Sequence, residues 1–282
     1  MPFESLEMQP IVYDTPPQPP TLDLRRIEGD ALPAFPTGLS NPFDIPPEVM
    51  AAMAAMNLAP PFVPPAQSRA TRFINLRGRG SHRGALVATF GGVDRMIVFE
   101  SLLELHCLRM LLCDTAVIDI WDQPPAIPYC NVAGAWTRHT LDYRAEYQDG
   151  RLVGFAVKPW GKVVDQEGKP TEFARNMARV RAAAGHEIRI VTERSFSRVQ
   201  VQDAQIMHTW SREADPHADS VVRAIIPTLR GTFPLRTIQD VSGLGGRAYG
   251  AVIRAFRDGR LVKAEHKRLG LGTLLKAVRH DH

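Results

Sequence analysis

The sequence predicts an α/β protein: a mixed central sheet flanked by helices, followed by a small, mostly helical C-terminal unit. Three observations predict it. "GALVATFGGVDRMIVF" (84–99) reads as two strands around a Gly-Gly turn, and "TAVIDIW" (115–121) as a β-branched strand. "PTEFARNMARVRAAAG" (170–185) reads as a helix between two strands, the order of a crossover onto a neighbouring strand. After residue 218 the pattern turns helical again, closing on a strand from Arg260.

Each element has a local reason. Residues 1–67 form a separate arm: 15 of the 23 prolines fall in residues 1–65, and proline removes backbone donors and blocks helix. The arm reads as extended, with one short helix at about 47–56. The sheet domain is expected over 68–195. There, "ESLLELHCLRMLLC" (100–113) is apolar at Leu103, Cys107, Met110 and Leu111, a helical period. Pro124-Pro125 stops the strand before it. "HTLDYRAEYQDGRLVGFAVKPW" (139–160) is a hairpin about Asp149-Gly150. The helix at 170–185 opens on Pro and closes on Gly, and "EIRIVTE" follows as a strand. In 196–282, "DSVVRAIIPTL" suggests a helix. "PLRTIQDVSGLGGRAYGAVIRAFRDGRLVKAE" reads as helix, Gly-containing turn, helix and strand, the order of a winged helix. Arg247, Arg254 and Arg257 lie on its second helix and are the candidate DNA contacts.

The net charge is +4 over 282 residues, unevenly spread. Residues 1–67 hold two basic and eight acidic residues, a net of −6. Residues 68–83 hold five arginines and no acid, and residues 257–282 hold seven Lys/Arg against three Asp/Glu. Such clusters point to phosphate partners or to a solvated basic surface; a double-stranded DNA partner is the expectation that the winged-helix order adds. The three cysteines are an odd count without metal-type spacing, which fits reduced thiols. No apolar run is long enough for a membrane span, and the N-terminus lacks a signal-peptide pattern, so the expected location is the cytoplasm and no membrane partner is expected.

The hairpin carries the chemistry. A two-residue loop would set Asp142 opposite Val157. A three-residue loop with Gly150 in the left-handed position would set it opposite Ala156, with Asp142, Ala156 and Lys158 on one side. Glu104 on a helix, Asp142 on a strand and Lys158 beyond would form a hard-oxygen cradle for Mg²⁺ beside an ammonium. Such an ion polarises a scissile phosphate, and the Lys can orient water or steady charge on phosphorus.

"SLLE" (101–104), "VIDIWDQPPAIPY" (117–129), "HTLDY" (139–143) and "AVKPW" (156–160) together resemble the TnsA-type transposon endonucleases of the PD-(D/E)xK nuclease superfamily. The resemblance covers residues 84–193 and, loosely, the C-terminal segment; the arm is outside it. It implies a restriction-endonuclease-like sheet domain and a DNA endonuclease using Mg²⁺ or Mn²⁺. It also implies a partner recombinase or transposase subunit. The family's Glu, Asp and Lys fall on Glu104, Asp142 and Lys158, and its supporting Gln and His on Gln123 and His139. Where the family has Gln or Glu, this chain has Ala156. The ion would then rest on Glu104, Asp142 and the Val157 carbonyl, with Glu100, read as one helical turn before Glu104, as a substitute ligand. The alternative is a nuclease fold without its chemistry, kept as a DNA-binding or assembly factor.

Overall fold

The computed structural model describes residues 64–72 and 82–278. The arm helix expected at 47–56 lies outside the described residues, as do Arg77 and Arg79.

Strands β1 (Gly84–Phe90) and β2 (Val93–Phe99) form the hairpin that the Gly-Gly pair predicts, with Gly91 and Gly92 at φ of 57° and 82°. Helix α1 (Leu102–Cys113) starts one residue after Ser101, whose hydroxyl caps it. After β3 (Val117–Asp122) comes a two-stranded hairpin, β4 (Ile127–Cys130) and β5 (Trp136–His139), absent from the sequence reading. β6 (Tyr143–Tyr147) and β7 (Leu152–Val157) follow. Helix α2 (Glu172–Ala184) is capped by Thr171 and ends at Gly185, φ 66°, before β8 (Glu187–Val191).

The central sheet has the order β3-β6-β7-β8. Its first three strands are antiparallel and β8 runs parallel to β7, so the sheet is mixed, with α2 as the crossover. Cys107, Leu108 and Leu111 of α1 pack on Ile120, Tyr143, Phe155 and Val157 from one face. Met177 and Val180 of α2 pack on Leu141, Ala156 and Ile188 from the other.

Helix α3 (Arg198–Ser211), also absent from the sequence reading, contacts α1 and the C-terminal unit. That unit runs α4 (Pro216–Ile225), β9 (Thr232–Pro234), α5 (Leu235–Ser242), α6 (Gly246–Arg257), β10 (Leu261–Lys263) and β11 (Leu274–Ala277). Its antiparallel sheet has the order β10-β11-β9. A second core of Val222, Phe233, Leu235, Ile238, Val252, Ile253 and Leu275 fills it. Helix α6 is the centre of that core, with Ala248, Gly250, Ala251, Val252, Ile253 and Ala255 all buried. At Gly250 the helix meets the Trp210 ring of α3 so closely that a Cβ would lie 2.7 Å from it. Among the described residues no helix is long and apolar enough to cross a membrane.

Candidate functional site

The site is assembled by the turn between β6 and β7. The register is Tyr143↔Phe155 through Glu146↔Leu152, closed by Tyr147 N donating to Arg151 O at 2.9 Å. Residues 148–150 form the loop, with Gly150 at φ 80°. This is the three-residue loop, in which Asp142 stands level with the end of β7. Asp142, just ahead of β6, accepts a 2.6 Å hydrogen bond from Val157 N through Oδ2. Lys158 Nζ lies 3.7 Å from the same oxygen. Lys158 is itself anchored by its backbone N–H, which donates to Val191 O at 3.0 Å.

Glu104 comes from α1. Ser101-Leu102-Leu103-Glu104 has the spacing of a capping box. The Ser101 hydroxyl accepts from Glu104 N at 3.1 Å and donates to Glu104 Oε1 at 2.9 Å. Glu104 Oε2 accepts from Glu100 N at 2.7 Å. Capping is a sufficient local reason for a Glu here, but it does not explain the burial. Glu104 and Asp142 are each 7 % exposed.

Burial sets their electrostatics. It pushes the Glu104 carboxyl above its ordinary range, and the nearby charge of Asp142 pushes it further, against hydrogen bonds from Glu100 and Ser101 and the attraction of Lys158. Burial likewise raises Asp142, against Lys158, the Val157 N–H and Arg72. Two desolvated carboxylates thus face a single ammonium that does not fully offset them.

Gln123 supports this arrangement from a strained position. Its φ of 43° is the one positive value at a non-glycine among the described residues. Its backbone N–H donates to Asp142 O at 2.9 Å, and its side-chain amide to Glu100 Oε2 at 3.2 Å. Its Oε1 is buried without a hydrogen-bond partner. Glu100 precedes the cap of α1, so it is not one helical turn behind Glu104; its carboxylate instead accepts from Gln123 and pairs with Arg72. This corrects its placement on the helix, one turn before Glu104. His139, at the end of β5, packs against Phe173, and burial with the nearby Lys158 lowers its pKa. Ala156 is fully buried in the cluster beneath α2. Its methyl therefore packs with Leu141 and Met177, on the sheet face opposite α1, which corrects the expectation that the three-residue loop sets Ala156 on one side with Asp142, beside Glu104. Sequence reasoning missed two contributors, Ser101 and Arg72. The S-x-x-E spacing signalled the first, and the second was visible only as one arginine in a basic run.

The three arginines of α6 are used within the protein. Arg247 clamps Asp215 through two hydrogen bonds of 2.8 and 2.7 Å. Arg254 binds Asp219 at 2.8 Å and the carbonyls of Trp210 and Glu213 at 3.1 and 2.8 Å. Arg257 donates to Leu112 O of α1 at 3.3 Å. The sequence reading placed them on a DNA-facing helix; in the fold that helix is a core element, and the guanidinium groups hold α4, α3 and α1 to it.

Among the described residues no three His, Cys, Asp or Glu side chains gather as a metal-ligand group. The carboxylate pair still fits a hard divalent cation. Mg²⁺ is commonly held by one or two carboxylates with water and phosphate oxygens, and a cation beside two desolvated carboxylates relieves the strain that raises both. No family model matches the chain, and no curated protein matches it.

Proposed function

We propose that the chain is a metal-dependent DNA endonuclease of the TnsA type, hydrolysing a phosphodiester at a transposon end beside a partner recombinase subunit. One observation carries this reading: Glu104 and Asp142 are buried side by side with Lys158 Nζ 3.7 Å from Asp142 Oδ2. Such pairs of raised carboxyls are concentrated at functional sites. The order α1, β3, β6, β7, α2, β8 supports a restriction-endonuclease-like core. The order α4, β9, α5, α6, β10, β11 supports a winged-helix unit behind it.

In this reading Glu104 and Asp142, with the Val157 carbonyl, hold Mg²⁺ or Mn²⁺, which supplies Lewis-acid polarisation of the scissile phosphate. Lys158 places its ammonium where charge builds on the phosphoryl oxygens and holds the attacking water toward them. Its side chain is 37 % exposed, so the site opens to substrate at that end. Val157 N–H fixes the Asp142 carboxylate, and Ser101 and the Glu100 N–H fix Glu104. Gln123 holds the Asp142 backbone. His139, with its lowered pKa, leaves Lys158 as the cation beside the pair.

A second reading is favoured by Ala156, which supplies no ligand and packs beneath α2: a DNA-binding or assembly factor on the same fold. A nicking assay separates them, using supercoiled plasmid carrying candidate element ends, Mg²⁺ or Mn²⁺, and the partner recombinase present or absent. The nuclease reading expects metal-dependent nicks that Asp142→Ala removes. DNA binding without cleavage under every condition selects the second reading.

A further inference from the structure

We infer that the cleft between α4 and the C-terminal end of α6 is a phosphate-binding site, separate from the carboxylate pair. The cleft encloses about 110 Å³ and is lined by Asp219, Arg223, Arg254, Arg257, Asp258 and Arg260, together with Ala251 and Ala255. It shares no residue with the Glu104–Asp142–Lys158 site.

Four guanidinium groups against two carboxylates leave the cleft cationic, and the compensation inside it is uneven. Asp219 is committed to Arg254, which is also fixed by two carbonyls. Arg254 is therefore a rigid, already neutralised wall. Arg257 spends one N–H on Leu112 O, while its Nε is buried with no acceptor. Arg223 and Arg260 are exposed at the rim, and neither has an ion-pair partner among the described residues. Asp258 follows α6 as its C-cap, with its backbone N–H bonded to Arg254 O. Two guanidinium groups without an ion-pair partner among the described residues, Arg223 and Arg260, thus stand at the rim of a space large enough for a small anion. Phosphoryl oxygens match that set, because the guanidinium fork binds two of them at once.

The phosphoryl group could come from a DNA backbone or from a free phosphate ester, and one experiment distinguishes the sources. The full chain is titrated at low salt with pyrophosphate by calorimetry, and with a short DNA duplex by anisotropy, with pyrophosphate then added as competitor. The same titrations are run on the double variant Arg223→Gln/Arg260→Gln, whose positions are exposed, and on Asp142→Asn as a control at the other site. Saturable pyrophosphate binding is expected, weakened on the order of tenfold or more in the double variant and unchanged in Asp142→Asn. Competition with the duplex identifies a DNA phosphate as the ligand, and binding without competition identifies a free phosphate ester. Duplex binding alone, lost in the double variant, also assigns the cleft to the DNA backbone. Absence of binding by both ligands in the wild type, or binding by the double variant equal to wild type, overturns the inference. The result is independent of whether the chain cuts DNA.

Discussion

Asp142 and Asp215 are the same residue type, each beside a basic side chain, and their carboxyls move in opposite directions. Asp215 is partly open to solvent and receives a two-pronged Arg247 guanidinium, which holds its carboxyl far below the usual range. Asp142 is buried, and Lys158 stands off at 3.7 Å, so desolvation outweighs attraction and the carboxyl is raised. Along α6 the Arg247–Asp215 and Arg254–Asp219 pairs close on one another, whereas the sheet domain leaves a carboxylate pair under-compensated. The difference teaches where to look for chemistry: a closed ion pair is finished structure, and a buried, unfinished one has affinity left for a ligand.

The largest expected effect breaks the unfinished site. Asp142→Ala should reduce metal-dependent nicking by on the order of 100-fold or more, the scale for losing a group that orients a metal, measured with partner and element-end DNA. Arg247→Ala should leave the nicking rate near wild type.

Ala156→Gln tests whether position 156 belongs to the site or to the core. Ala156 has zero exposure and packs against Leu141, Met177 and Val180. A larger side chain there should cost about 1–3 kcal/mol of stability by overpacking, read by urea denaturation. A variant as stable as wild type with faster nicking would return residue 156 to the metal site.

Much of this was legible in the sequence, for identifiable reasons. Gly150 can adopt a left-handed φ without cost, so it marks the β6–β7 turn, although it suits a two-residue and a three-residue loop alike and left the register open. Gly91-Gly92 and the Thr171–Gly185 frame of α2 are equally local signals. What was not legible depends on distant partners. Arg247, Arg254 and Arg257 look like a basic helix face until α4 brings Asp215 and Asp219 to it. Glu100 looks helical until the Ser101 N-cap starts the helix two residues after it, at Leu102. Helix α3 carries charged and polar residues over much of its length and is recognisable chiefly from what it packs against.

Asp142→Asn sharpens the comparison through stability. A carboxyl raised on folding contributes stability below its ordinary value of 3.8 and loses it as pH rises through the raised folded value. In EDTA near pH 7 the Asn variant should therefore be more stable than wild type, by about 1.4 kcal/mol for each unit by which burial lifts the carboxyl. The advantage should vanish in acid. Thermal melts across pH 3 to 8 (about that range, where carboxylates titrate) read this directly, and an Asn variant less stable than wild type at neutral pH would show that Lys158 compensates Asp142 after all.

Arg247→Ala should have the smallest effect and the opposite pH dependence. Asp215 is depressed on folding, so its pairing stabilises above the ordinary value of 3.8 and is lost as pH falls toward the folded value. A small drop in Tm at neutral pH is expected, shrinking in high salt because the pair is exposed.

The most direct test of the carboxylate pair is a calorimetric titration of the metal-free full chain with Mn²⁺, beside Asp142→Asn and Arg247→Ala. A single saturable site is expected in wild type, lost in Asp142→Asn, retained in Arg247→Ala, and accompanied by a higher Tm in the two proteins that bind. Wild type that takes up no Mn²⁺, or Asp142→Asn that binds it as tightly as wild type, would contradict that expectation.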